Sequence, residues 1–397
     1  MPFPPDEGAL IRSYHTVRLL SREYEVSGIY FWRRAARESA VGRARSLEEL
    51  RRFGSADAFP IPQEHSRIRL VWDHARSAFT GTPYTRWMHE SRAARRWLEE
   101  ILSMGSFDVV HVDSIDLLAY LASLPSIPLV LAHHNVESAL LRRRAEHAKG
   151  PARAYLRFQA ALVEAAEREW CSRAELNIAV SDQDAEQFLS LAPRAQMLVI
   201  PNGVDTQGFR PLDSTSDGGV VFVGGHSWLP NADGMEFFVA EVLPLILRER
   251  PETRVRWIGK APEGAARHFA RQGVEVLGYV DDIRPVMGEA QCVIVPLRIG
   301  GGTRLKILDA WAMGKAVVST SIGSEGLKTC DGENILIADS PDLFAAAVLR
   351  VLGDPSLRKR LETAARETAE RNYDWERLGD RMLERYRSIV ALGGRRD

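Results

Sequence analysis

Gly300, Gly301 and Gly302 are followed by Thr303, Arg304 and Lys306, with Asp309 one further turn along a predicted helix. Glycines without side chains let backbone N–H groups and the positive end of a helix face an anion. Arg304 and Lys306 add two cations within the first turn. By helical spacing Asp309 falls near the face of Thr303 and Lys306. The combination suits a nucleoside diphosphate, with its phosphates at the turn and its ribose at the acid. A strand–glycine–helix turn also occurs for close packing alone, but such a turn has no need of two cations beside it. A Walker phosphate loop is excluded, because the stretch holds no Gly-x-x-x-x-Gly-Lys-Ser/Thr pattern.

The elements around this turn set its position. It leaves an apolar strand at Cys292–Val295, opens a helix over about Thr303–Met313, and leads to a strand at Ala316–Thr320. Further strands are predicted at Val220–Val223, Val255–Ile258, Val274–Leu277 and Ile335–Ile337, with an amphipathic helix over Asp233–Arg248. A separate series precedes them: strands at Val26–Trp32, Val109–Val112, Leu129–Ala132, Leu176–Val180 and Met197–Ile200. Its helices fall at about Ala9–Arg22, Ser46–Arg52, Thr85–Ser103, Ile115–Leu124 and Asp182–Leu191. Strands that lack alternation and are separated by helices indicate parallel sheets covered on both faces. Two such series, joined by a polar linker at Leu212–Gly218, imply two Rossmann-like domains with a cleft between their strand ends. Ahead of the loop Pro4–Gly8 only Met1–Phe3 are available as a first strand. Either the start lies upstream or the sheet lacks a strand that is normally central.

Composition narrows the function. The chain has 397 residues, room for two full cores, and a net charge of −1, which disfavours a general nucleic-acid binder. No apolar run reaches membrane-spanning length, and the start MPFPPDEG has no signal-peptide character. Cys171, Cys292 and Cys330 are far apart and make no metal-ligand pair, and of ten histidines only His133 and His134 are close. A cytoplasmic protein without metal or cofactor is the expectation. The basic stretch Leu141–Gln159 carries Arg142, Arg143, Arg144, Lys149, Arg153 and Arg157 against Glu146. It reads as a solvated helix face.

The segments PNGVDTQGFRP, VEVLGYVDDIRPVMGEAQCVIVPLRIGGGTRLKILDAWAMGKAVVST and NYDWERL resemble the family 4 glycosyltransferases of GT-B architecture, and HHNVES is the best match nearer the start. The resemblance implies an acceptor-side domain at 1–200, a nucleotide-sugar-binding domain at 201–372, and a last helix, 373–397, that crosses back to the first. It implies sugar transfer from a nucleoside diphosphate sugar with retention of configuration and no metal, and in such a family the basic helix over 142–157 can meet anionic lipid at the inner face of a membrane. Asp309 falls at the family's second motif Glu, which holds the ribose. The first Glu, expected at the donor sugar, falls at Gly301 and is absent. The usual diphosphate-gripping Arg and Lys are replaced after Val223 by Gly224-Gly225-His226-Ser227-Trp228 and Asn231-Ala232-Asp233-Gly234. Arg304 and Lys306 are the candidates to take over that charge. His134 matches a histidine near the donor sugar, Tyr279 a base-binding position and Gly8 an N-terminal glycine loop in which Glu7 departs from the pattern. Gly302 and Thr303 complete the donor-binding set. Two other readings fit the same scaffold: a nucleotide-sugar epimerase, and a binding or scaffold protein that has lost its motif charges.

Overall fold

A computed structural model describes residues 1–5, 8–33, 40–105, 107–121, 127–212, 219–300 and 304–393. Gly301, Gly302, Thr303, Glu7 and most of the predicted linker lie outside these residues. The chain divides into two compact units, one formed by Met1–Pro201 with Gly379–Asp397 and the other by Asn202–Leu378.

The first unit holds strands β1 (Val26–Trp32), β2 (Gly54–Pro60), β3 (Val110–Val112), β4 (Leu129–Ala132), β5 (Leu176–Ala179) and β6 (Met197–Val199). β3 to β6 form a four-stranded parallel sheet in chain order, while β1 and β2 pair separately, also in parallel. Met1–Phe3 form no strand, although the Met1 amine donates to the Phe31 carbonyl at 2.6 Å. β4 and β5 are buried along their whole length, as their unbroken Leu-Val-Leu-Ala and Leu-Asn-Ile-Ala runs require. The C-terminal helix, Trp375–Gly393, contributes its later turns to this unit: the Tyr386 hydroxyl meets His111 Nδ1, and Arg387 pairs with Glu23.

The second unit holds β7 (Val220–Val223), β8 (Val255–Ile258), β9 (Val274–Gly278), β10 (Cys292–Val295), β11 (Val317–Ser319) and β12 (Leu336–Ile337). All six are parallel in the order β12-β11-β10-β7-β8-β9. The chain winds outward from β7 through β8 and β9, then returns to lay β10 on the other side of β7. In an open α/β sheet such a reversal leaves a crevice beyond the carboxyl ends of the two central strands. The segments that follow β7 and β10 open at Gly224 and Pro296. Among the described residues, no helix is long and apolar enough to cross a membrane. The basic region expected over 141–159 is in fact two helices, Glu137–His147 and Gly150–Arg173, with Lys149 exposed at the break.

Candidate functional site

In the second unit, the loops at the sheet's reversal bring two cations together. Arg304 lies just ahead of the Leu305–Ala312 helix and is 2% exposed; its Nε and Nη2 donate to the Ile322 carbonyl at 3.3 and 3.0 Å. Lys306, half-buried, reaches back to the β7 loop, where its Nζ donates to Asn231 Oδ1 at 2.7 Å. The Asn231 amide is held from its other end, donating through Nδ2 to the Gly225 carbonyl at 2.9 Å. The Lys306 amine also sits 4.4 Å from the Phe222 ring centre, and Trp228 lies about equally far from both cations, at 5.9 and 6.0 Å. Gly224, at φ 155°, must be glycine: a Cβ there would come within 2.5 Å of the Asn231 amide.

Burial disfavours the charged form of both cations in this cluster. Burial, and then the field of Arg304, push the Lys306 amine down to about 7. Burial likewise lowers Arg304, with Glu325 opposing. Lys306 has no carboxylate partner among the described residues. Asp309 makes no hydrogen bond or ion pair through its carboxylate among them either, and burial pushes it up to about 7. Two cations held close in a low-dielectric crevice repel each other, and an arriving anion relieves both the repulsion and the desolvation.

In the first unit, register explains a second cluster. Val112 of β3 pairs with Leu131 of β4, so Asp113 and His133-His134 emerge side by side at the strand ends. His134 Nε2 lies 3.5 Å from Asp113 Oδ2 and His111 Nε2 lies 3.7 Å from Oδ1, while the Ser13 hydroxyl donates to Oδ2. Burial works against a charged His134, but the attraction of Asp113 outweighs it and holds the imidazole above its ordinary value. Burial alone would raise Asp113; the two histidines overcome it and hold the carboxyl well below the usual range. Arg12, also buried, donates to the Ile200 carbonyl at 2.7 Å, and desolvation lowers it to about 10 against the pull of Asp113.

Adjacent in sequence, His133 and His134 have opposite fates. His133 is 3% exposed, bonds Asn177 Oδ1 at 3.2 Å and lies 4.1 Å from the Phe188 ring. Burial pushes it down to about 4, so it is a neutral core residue. Of the other expected residues, Tyr279 is 56% exposed beyond β9, two strands from β7, with the Lys260 amine 4.9 Å above its ring. No described contact joins Tyr279 to Arg304 or Lys306. Gly8 opens the Gly8–Leu20 helix, which carries Arg12 and Ser13. Among the described residues, no group of His, Cys, Asp or Glu is placed to hold a metal ion. Sequence reasoning assigned no role to Asp113, His111, Arg12, Ser13 or Tyr386. The signal available was Asp113 itself, a carboxylate directly after a strand. Asn231 stood in a segment noted only for the charges it lacks.

Two family models match the chain: "Glycosyltransferase Family 4" over residues 9–207 and "Glycosyl transferases group 1" over residues 217–354. The chain is 26% identical over 353 residues to the phosphatidyl-myo-inositol mannosyltransferase of Mycolicibacterium smegmatis, covering 85% of this chain and 81% of that one. It is 28% identical over 168 residues to an uncharacterized 44.6 kDa protein in the cps region of Klebsiella pneumoniae, covering 40% of this chain and 43% of that one. Among solved structures, Anabaena HepE in complex with UDP-glucose matches with a TM-score of 0.63 at 15% identity, covering 96% of each chain.

Proposed function

The chain belongs to the family 4, group 1 glycosyltransferases and has their GT-B fold, and from that premise we propose that it moves a sugar from a nucleoside diphosphate sugar to an acceptor hydroxyl with retention of anomeric configuration. The observation that carries the reading is the Lys306 amine, fixed at 2.7 Å by Asn231 beside Arg304 at the sheet's reversal. As the glycosidic bond breaks, its electron pair stays on the diphosphate oxygen, and cations already in place stabilise that charge without reorganising. Lys306 and Arg304 serve this purpose. Asp309 accepts hydrogen bonds from the ribose hydroxyls. The acceptor's proton passes to the departing phosphate oxygen on the same face of the sugar. His134, whose charged form Asp113 favours against burial, donates a hydrogen bond to a sugar hydroxyl. The names of two relatives agree with this class of reaction, one being a mannosyltransferase and the other a complex with UDP-glucose.

Thermal-shift screening of nucleotide sugars, followed by release of free nucleoside diphosphate with candidate acceptors, tests the proposal. Lys306→Met keeps the stem and removes the charge. It is expected to lower turnover by about 10²–10³ while melting near the wild-type temperature. Wild-type turnover from that variant, or a wild-type protein that no nucleoside diphosphate stabilises, would overturn the assignment.

A further inference from the structure

His134 is held through one ring nitrogen. Its Nε2 lies 3.5 Å from Asp113 Oδ2, and among the described residues no hydrogen bond reaches its Nδ1. The other oxygen of Asp113 serves His111. His111 Nε2 and Asp113 Oδ1 are 3.7 Å apart, and both atoms are buried with no hydrogen-bond partner among the described residues. Behind His111 stands Tyr386 of the C-terminal helix, 3% exposed, whose hydroxyl meets His111 Nδ1. The two rings are stacked, with centres 6.3 Å apart and planes 29° apart.

Charge sets the direction of these contacts. Burial pushes the Tyr386 hydroxyl well above its ordinary value, so it keeps its hydrogen. When that hydroxyl donates to Nδ1, a neutral His111 carries its own hydrogen on Nε2, facing the carboxylate. The other tautomer would set a nitrogen lone pair against an anionic oxygen. Ser13, on the Gly8–Leu20 helix, donates to Oδ2. At 3.5 and 3.7 Å the two histidine contacts are charge contacts rather than short hydrogen bonds. The orientation of His111 therefore depends on what holds its far side, and Tyr386 is there.

We infer that Tyr386 and His111 are positioning residues for His134. They engage Oδ1 of Asp113 and leave Oδ2 to fix the His134 imidazole through Nε2, with Nδ1 as the nitrogen that meets the donor sugar. A carboxylate orients the imidazole of a catalytic triad in the same way. Only the sugar contact rests on the proposed function; the orientation and charge of the ring do not depend on it. Other groups also face His134: Arg12, which disfavours its charge, Glu137, which favours it, Asp116, and the neutral His133. No described contact joins any of these to the Tyr386 hydroxyl.

Histidine-selective nitrogen NMR of the full chain tests this, with signals assigned through His111→Gln and His134→Gln. In the wild type, His111 should carry its hydrogen on Nε2, and His134 should titrate above its ordinary value. Tyr386→Phe keeps the stacked ring and removes only the hydroxyl. It is expected to lower the His134 titration, though by less than Asp113→Asn, which should lower it by at least about one pH unit. Tyr386→Phe is also expected to cost about ten- to a hundredfold in kcat with little change in KM for the donor. A histidine that loses its proton at lower pH moves the alkaline limb of kcat to lower pH. A helix contact that only stabilises the fold would lower activity equally at every pH and leave the titration in place. A hydrogen on Nδ1 of His111, or a His134 titration that Tyr386→Phe leaves unchanged, overturns the inference while the donor assignment stands. The expected titrations in a chain that transfers no sugar would support the positioning and sink the proposed function instead.

Discussion

Lys306 makes the donor reading testable through protons. Its amine is poised at about 7 because burial and Arg304 both disfavour the charge. A bound diphosphate reverses that balance and raises the amine towards its ordinary value, so binding takes up a proton at pH values between the two. The sign follows from linkage: affinity for a nucleoside diphosphate weakens as pH rises above about 7, by at most about tenfold per unit for one proton. Titration calorimetry across that range should show the slope in the wild type and not in Lys306→Met. A slope that persists in the variant would assign the proton elsewhere.

His133 gives a stability prediction of a different kind. The folded chain holds it neutral at about 4, whereas an unfolded chain protonates it near its ordinary value. The folded state therefore binds fewer protons in this window. Its stability is complete above about pH 6.5 and drains as pH falls towards 4, by on the order of 3 kcal/mol from this group. Chemical denaturation at pH 7 and pH 5 crosses about 1.5 units of that window, so the wild type should lose about 2 kcal/mol more than His133→Gln between them. Equal losses would mean that His133 is solvated in solution.

At the scale of elements, one glycine sets helix packing against helix propensity. Gly379 belongs to the Trp375–Gly393 helix, where alanine ordinarily gains about 1 kcal/mol. A Cβ at this position would stand 2.4 Å from a methyl of Leu19, which is 1% exposed on the Gly8–Leu20 helix. Overpacking a closed core costs about 1–3 kcal/mol, so Gly379→Ala should lower the melting temperature. A rise would show that Leu19 has room to turn away.

Elements also mark where the sequence was and was not legible. The buried parallel strands were readable because Val, Ile and Leu fill them without alternation, and β4 and β7 keep the bounds their runs suggest. β2 was missed: Gly-Ser-Ala-Asp-Ala-Phe-Pro has no β-branched residue, and only its seven-residue pairing with β1 makes it a strand. The helix expected over Thr85–Ser103 breaks into Thr85–Met88 and Arg92–Met104, because the Ser91 hydroxyl caps a new start at Ala94 N. The helix expected from Asp233 starts earlier, at Leu229, and passes through a π-helical turn at Phe238–Val242. Pro244 follows that turn with no N–H to donate, and widening the preceding turn relieves its ring. In the candidate site, Arg304 and Lys306 could be picked out by charge beside glycine. Asn231 could not, since its role rests on a contact 75 positions away.

At the scale of the whole molecule, the first unit is completed by the far end of the chain. Removing residues 379–397 takes away four buried side chains, Met382, Leu383, Tyr386 and Ile389. It also removes the Arg381 bond to the Val199 carbonyl, the Asp380–Arg22 and Arg387–Glu23 pairs, and the Tyr386 hydroxyl from His111. Burying a large apolar side chain stabilises by roughly 1.5–3 kcal/mol, so the four together approach the roughly 5–15 kcal/mol that holds a domain folded. The second unit, Asn202–Leu378, loses none of its own six-stranded sheet. A chain ending at Leu378 is therefore expected to lose the first unit's unfolding transition in calorimetry and to keep the second's. Limited proteolysis should leave a protected fragment near residues 202–378. Equal protection of 1–201 in the shortened chain would mean that the first unit holds His111 and Asp113 in place without the C-terminal helix, and Tyr386 would then be a peripheral contact rather than a support of the His134 pair.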